Sequence, residues 1–106
     1  MKYFFFFFLY NITFHVELGV LTDFKEFLIE EHLPFISNHS DIIEHKLLKL
    51  LNVDESEAMT YTLQYYLKDM GTYNQHMAVI DRKLKREIFE QYGEKVLYFC
   101  SVLEKI

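Results

Sequence analysis

Two histidines stand out because each lies in a pattern that could bring it to a site for chemistry. His15 follows Asn11 and Thr13 at alternate positions, so the three side chains share one face of a predicted strand. A histidine among amides and hydroxyls could bind a carboxylate or an enolate, or could move a proton. The alternative is a polar seam between subunits or a solvent-facing strand. The expected companions of His15 in a cavity are Asn11, Thr13, Thr62, Gln64 and Tyr66.

His32 is a second candidate cavity residue. It lies on the apolar stripe of a predicted helix, with Leu28 and Phe35 at helical spacing. There it could act as a general base or a ligand at the mouth of a cavity. The alternative is a core histidine that is hydrogen-bonded to the backbone, because the nearby Pro34 frees a carbonyl in the helix. The sequence does not identify a catalytic residue.

Other kinds of chemistry have little support. The five histidines include no pair at the i, i+4 spacing of a helical zinc site, and there is no Cys-x-x-Cys motif, so we expect no metal. A glycine-rich phosphate loop is also missing, and we expect no cofactor. The single cysteine, Cys100, cannot form an internal disulfide, which fits a reducing cytoplasm. A net charge of −5 argues against nucleic acid as a partner, since an acidic surface repels phosphates.

The elements that must position these residues follow from the periodicity of apolar side chains. Alternation predicts strands at residues 10–17, 42–51, 59–67 and 95–103, and its imperfection in the second predicts a bulge. Between the first two strands, apolar residues three or four apart predict a helix that starts at a capping box formed by Asp23 and Glu26. Pro34 should kink or end this helix.

A second helix is predicted between the last two strands. It starts at a capping box formed by Thr72 and Gln75, and Gly93 lies where a helix should end. Asp81 and Lys85 have the i, i+4 spacing of a charge pair on its outer face. The order of elements is therefore strand, helix, strand, strand, helix, strand.

This order predicts an α+β fold, a ferredoxin-like βαββαβ sandwich with a four-stranded antiparallel sheet and two helices on one face. The first and third strands should be central, and the second and fourth should be edges. The helices should cover the face that carries Ile12, Phe14 and Leu63, and should leave the face of His15 open. Such a face is polar in the centre and apolar at its edges, and it favours a cover. We therefore expect a homodimer whose sheets pack face to face around a small cavity.

The start of the chain is unusual. Residues 3–10 are uninterrupted apolar or aromatic, including five consecutive phenylalanines, but a membrane span needs about 20 apolar residues. The following residues offer no small-residue cleavage site of a signal peptide. We therefore divide the chain into an aromatic leader, residues 1–8, and one ferredoxin-like domain, residues 9–106. The leader also allows a true translation start near Leu9.

Several segments together resemble an uncharacterised bacterial family, the domain of unknown function 4286. The resemblance extends from about Leu9 to Ile106, and the leader departs from it. It implies a ferredoxin-like fold akin to dimeric α+β barrels, whose members include small monooxygenases, isomerases and ligand-sensing domains, but it implies no particular activity. The segments that carry it are Tyr10–Thr13, His32–Pro34, Lys46–Lys49, Thr60–Tyr65, Tyr92–Lys95, Phe99 and Leu103–Ile106.

The sequence favours a cytoplasmic homodimeric module that holds a small-molecule ligand between its sheets, with neither a nucleic-acid nor a membrane partner. Whether it is an enzyme stays open, and a non-enzymatic role is favoured. One alternative is a small cofactor-free enzyme of the dimeric-barrel type, an oxygenase or an isomerase, which would need His15 or His32 at a cavity. Another is a protein-interaction module that uses an open sheet edge or the aromatic leader.

Overall fold

The strands of the protein form one antiparallel sheet. The computed structural model describes residues 8–37, 42–51 and 54–106, so residues 1–7 of the predicted leader lie outside the described part. The order of the four described strands across the sheet is β2-β3-β1-β4, which confirms that the first and third strands are central. The strands are β1 (Phe8–Glu17), β2 (Ile42–Lys49), β3 (Ala58–Leu67) and β4 (Val96–Glu104).

Strand β2 is shorter than predicted and carries the expected irregularity. It ends at Lys49 instead of Leu51. Its register with β3 shifts between Ile42 and Glu44, which confirms the predicted bulge. Beyond the strand, the backbone N–H of Leu50 still donates to the carbonyl of Thr60 at 2.9 Å, so Leu50 stays aligned with the sheet.

Helix α1 (residues 21–37) follows a 3₁₀ turn, Leu18–Val20. It begins as an α-helix, Leu21–Phe27, widens into a π-helical turn, Leu28–His32, and continues as an α-helical turn, Leu33–Ser37. The π-helical turn comes directly before Pro34. Proline cannot donate the usual backbone hydrogen bond and its ring crowds the preceding turn, so a wider turn accommodates it. The distortion predicted at Pro34 takes this form.

Helix α2 (residues 70–92) consists of a short α-helical turn, Met70–Thr72, a π-helical turn, Tyr73–Met77, and an α-helix, Ala78–Tyr92. It begins two residues before the predicted start at Thr72, whose side chain lies outside the described part. It ends, as predicted, at Gly93, where φ is 57°, a value that favours glycine. Among the described residues, no helix has the length and apolar character needed to cross a bilayer.

The predicted capping box at Asp23 and Glu26 is wrong. Helix α1 starts at Leu21, and its cap residue, Val20, makes no side-chain hydrogen bond. The Asp23 carboxylate instead accepts a 2.7 Å hydrogen bond from the hydroxyl of Tyr92 at the end of α2. Asp23 therefore connects the two helices, and this tertiary contact replaces the local one that the spacing suggested.

The hydrophobic core lies between the two helices and one face of the sheet. Phe24 of α1 packs edge-on against Phe14 of β1 and against Tyr92 of α2, with ring centroids 5.1 and 5.4 Å apart. These aromatic contacts join the three elements, and edge-to-face pairs add to the gain from burial. The face under the helices, which we call the covered face, buries every second residue of β1 from Tyr10 to Val16, and Tyr61, Leu63, Tyr65 and Leu67 of β3.

Candidate functional site

The opposite face of the sheet, which we call the open face, brings together six of the seven predicted cavity residues. In the ladder between β1 and β3, Asn11 is opposite Gln64 and Thr13 is opposite Thr62. The Gln64 amide donates to the Asn11 side-chain carbonyl at 3.3 Å and accepts from the Tyr66 hydroxyl at 2.8 Å. The Asn11 amide also donates to the Thr13 hydroxyl at 3.2 Å. The centre of this face is therefore an uncharged, hydrogen-bonded patch.

His15 is the sixth of these residues and lies at one end of the patch. Its side chain is exposed, and its Nδ1 lies 3.4 Å from the hydroxyl of Thr60 on β3. Beside it is an open groove of about 510 Å³, which is formed by the end of β1 and by the segments that precede β3 and β4. The imidazole here could exchange a proton with a small molecule in the groove.

Apolar side chains border the patch on both edge strands. Phe99 of β4 is 64% exposed and lies opposite Thr13, while Leu48 of β2 is 46% exposed and lies opposite Thr62. Sequence reasoning anticipated this border only in outline, because it did not fix which residues of the edge strands share the open face. The exposed border residues are Leu48 and Leu50 at the β2 edge and Leu97, Phe99 and Leu103 on β4.

The structure separates His32 from the other six residues. It belongs to helix α1 and is buried against the covered face, with only 3% of its surface exposed. Its Nε2 is 2.5 Å from the hydroxyl of Tyr65 on β3. This is the core position of the alternative interpretation, although the partner is a side chain and not the backbone. Burial, with smaller contributions from the charges of Lys83 and His45, lowers the pKa of His32 to about 3. His32 is therefore neutral at physiological pH.

Sequence reasoning missed a second set of hydrogen-bonded polar side chains at the covered face, formed by Tyr10, Asp81 and Lys85. The hydroxyl of Tyr10 donates to the Asp81 carboxylate at 2.5 Å, and Asp81 pairs with Lys85 at 2.6 Å. The ring of Tyr10 stacks on that of Tyr65, with centroids 6.0 Å apart. Desolvation, with the hydrogen bond to Asp81, raises the pKa of Tyr10, so its hydroxyl remains a donor. The only signal in the sequence was the Asp81–Lys85 spacing, which predicted an outer-face pair.

Candidate metal ligands are not clustered in the described part of the chain. No group of three or more histidine, cysteine, aspartate or glutamate side chains is arranged there to hold an ion. Cys100 is a free thiol of intermediate exposure on β4, and its strand partner on β1 is Ile12.

The strand order, with both helices on one face, defines a protein of the ferredoxin-like α+β class. Residues 7–106 match the family described as a domain of unknown function (DUF4286), and the chain belongs to this family. The resemblance drawn from the sequence segments is thereby confirmed. No curated protein matches the chain.

Several solved structures share the fold. An ethd family protein of Bacillus halodurans has 16% identity and a TM-score of 0.67 over 93% of this chain and 99% of its own. A dimeric ferredoxin-like protein from an uncultured marine organism has 13% identity and a TM-score of 0.63, covering 93% and 95%. A monooxygenase of Streptomyces coelicolor, in complex with the ligand nanaomycin D, has 10% identity and a TM-score of 0.68, covering 95% and 88%. At these identities the likeness shows the fold alone.

Proposed function

We propose that the protein is a homodimer whose two open faces pack on each other and enclose a cavity for a small, uncharged, polar molecule. The observation that carries this proposal is the pattern of the open face. Its uncharged polar centre is flanked by exposed apolar residues along β4 and at one end of the β2 edge. An ordinary solvated sheet face would carry more lysine and glutamate. An apolar border of this extent on a small domain favours burial against a partner.

The size of the open face fits a dimer interface. Four strands spaced about 4.8 Å apart, each about 30 Å long, give a face of roughly 600 Å² in projection. Accessible area exceeds projected area, so the face approaches the roughly 800 Å² per partner of a standard protein interface. A fold neighbour is described as dimeric, which is consistent with this use of the fold.

The cavity follows from the difference in side-chain length across the face. Packed sheets lie about 10 Å apart, and large side chains fill that gap. Phe99 and the border leucines are long enough to do so, whereas the central Thr13 and Thr62 are short. Space would therefore remain over the centre, where Asn11 and Gln64 supply donors and acceptors without a net charge. These groups suit a neutral ligand with hydroxyl, carbonyl or amide groups.

The dimer is tested by adding a charge to the border. Phe99→Glu would bury two carboxylates at the interface, and we expect the dissociation constant to rise at least about a hundredfold. The matched control is Phe89→Glu, since Phe89 is 76% exposed on α2 and lies outside the sheet. Light scattering at micromolar concentration should give a monomer for the first variant and a dimer for the second. A dimeric Phe99→Glu protein would contradict the proposal.

The cavity is tested by filling it. Native mass spectrometry of the freshly purified dimer should show a small molecule bound, and Thr13→Phe should lower the bound fraction at least about tenfold while the protein stays dimeric. Val79→Phe, on the exposed side of α2, is the control and should keep the molecule. A dimer that carries no small molecule, and that gains none from a panel of neutral compounds, contradicts the ligand-binding part.

The groove beside His15 supports a second candidate function, a small cofactor-free enzyme. In this version His15 would take a proton from an aromatic or ketone substrate, as an oxygenase or isomerase reaction requires. His32 is unsuited to that role, because it is buried and bonded to Tyr65. Oxygen uptake or isomerisation measured with small aromatic alcohols and ketones should then be lost in His15→Gln. Turnover that is unchanged in this variant would exclude His15 as the base.

A further inference from the structure

The strand register sorts the open face into rows that run across all four strands. In one row Leu48, Thr62, Thr13 and Phe99 lie side by side from β2 to β4. A neighbouring row begins at Leu50, whose backbone N–H donates to the carbonyl of Thr60. It continues through Thr60 and His15 and ends at Leu97. Each of these two rows therefore has an apolar residue at both ends and polar residues between them.

The next two rows have a different character. The third row runs from Lys46 through Gln64 and Asn11 to Ser101, and all of its members are polar. The fourth row begins at Glu44 on β2 and ends at Leu103 on β4. The β2 edge is thus apolar at one end and charged at the other, and this asymmetry restricts how two copies can pack.

When two open faces pack with their strands aligned, the two-fold axis that relates them runs either along the strands or across them. With the axis along the strands, each row lies on the same row of the partner, and β2 lies over the partner's β4. Leu48 then meets the partner's Phe99, and Leu50 meets the partner's Leu97. In the centre, Asn11 meets the partner's Gln64, so amide faces amide.

With the axis across the strands, β2 lies over the partner's β2 and the order of rows is reversed. Leu48 then meets the partner's Lys46, and Leu50 meets the partner's Glu44. Both contacts put a charged group against an apolar side chain, which desolvates the charge without a partner. The first arrangement has fewer such contacts. Lys46 meets the partner's Ser101, and only Glu44 meets an apolar side chain, the partner's Leu103.

We propose that the two-fold axis of the dimer runs along the strands, so that β4 of one copy covers β2 of the other and closes both sheet edges of the interface. This inference rests on the proposed homodimer and adds its geometry. The partner copy then completes the cavity wall, since each central patch faces the same patch of the other chain. A ligand in the cavity would contact both chains.

Cross-linking tests the direction of the axis. In a Cys100→Ser background, chains carrying Leu48→Cys and chains carrying Phe99→Cys are co-expressed with tags of different mass and treated with a bis-maleimide of about 8 Å reach. Within one chain these positions lie on opposite edges, about 14 Å apart, which is beyond that reach. We expect cross-links between the two kinds of chain to exceed those between identical chains at least about fivefold, since the thiols of identical chains would be about 17 Å apart.

The controls separate failure of the axis from failure of the dimer. The molar mass of each variant is measured before cross-linking, and Lys46→Cys with Ser101→Cys repeats the test one row further with the apolar border intact. Cross-links mainly between two Phe99→Cys chains, or none in a dimeric sample, would overturn the axis and leave the dimer standing. A monomeric wild-type protein would instead overturn the proposed function itself.

Discussion

The two faces of the sheet are built from the same strands and differ in how they are completed. Tyr65 and Tyr66 are neighbours on β3, yet Tyr65 lies under the helices, bonded to His32, while Tyr66 lies on the open face, bonded to Gln64. On the covered face the helices supply partners for every buried polar side chain described. On the open face, no described element covers Phe99 and the other border residues, which are exposed. The covered face therefore stabilises the fold of one chain, whereas the open face is suited to contact with another molecule.

The test with the largest expected change in the free energy of unfolding replaces one phenylalanine on each face. Phe14 is fully buried against Phe24, so Phe14→Ala should lower the free energy of unfolding by about 3–5 kcal/mol. Phe99→Ala should lower it by less than about 1 kcal/mol when protein is dilute enough to dissociate a dimer. Urea denaturation followed by circular dichroism measures both values. Equal losses for the two variants would show that Phe99 belongs to the monomer core.

The next test uses the pH dependence that His32 gives to the covered face. An unfolded histidine gains its proton near pH 6.5, whereas the pKa of about 3 keeps His32 neutral in the fold. The unfolded state therefore binds more protons between these values, and stability falls as the pH falls. The loss is about 1.4 kcal/mol per pH unit, or roughly 2 kcal/mol from pH 6.5 to pH 5.

His32→Gln should remove this part of the pH dependence, while His15→Gln, at an exposed position on the open face, should retain it. Unfolding free energies are compared for the three proteins at several pH values in that window. If the free energy of unfolding of His32→Gln depended on pH as steeply as that of the wild type, His32 would not be the source of the dependence. It would then take up its proton in the folded protein. Such a result would contradict the burial that sets its pKa.

The test with the smallest expected change in the free energy of unfolding removes one hydroxyl from each face. Tyr65→Phe leaves the buried Nε2 of His32 without its partner, and we expect it to reduce the free energy of unfolding by about 1–2 kcal/mol. Tyr66→Phe removes a hydroxyl whose partner, Gln64, lies on the open face, and its effect should be within about 0.5 kcal/mol in the dissociated protein. Thermal unfolding of the two variants makes the comparison. The reverse order of effects would count against the contrast between the faces.

The strands and their order could be predicted because their signal is local. The alternation from Tyr10 to Val16 fixes which side chains face the helices, and the structure buries those residues. The position of His15 on the open face follows from the same parity. The bulge in β2 was visible as a break in that alternation.

The contacts that were missed join residues far apart in sequence. Asp23 has the spacing of a helix cap, but Tyr92, 69 residues away, provides its hydrogen-bond partner. Asp81 has the spacing of a surface pair with Lys85, but it is also the acceptor for Tyr10, 71 residues away. The spacing left open whether His32 lies in the core or at a cavity mouth, and its partner, Tyr65, is 33 residues away on β3. Spacing along the chain reveals neighbours on one element and carries no information about the elements that pack against it.

The central claim, that a second copy covers the open face, is tested most directly by sedimentation equilibrium of the unmodified protein over a range of concentrations. We expect twice the chain mass of 12.9 kDa at micromolar concentration, with dissociation to one chain on dilution. A mass of one chain throughout that range would contradict the claim, and would favour the alternative of a monomer whose open edge binds a different protein.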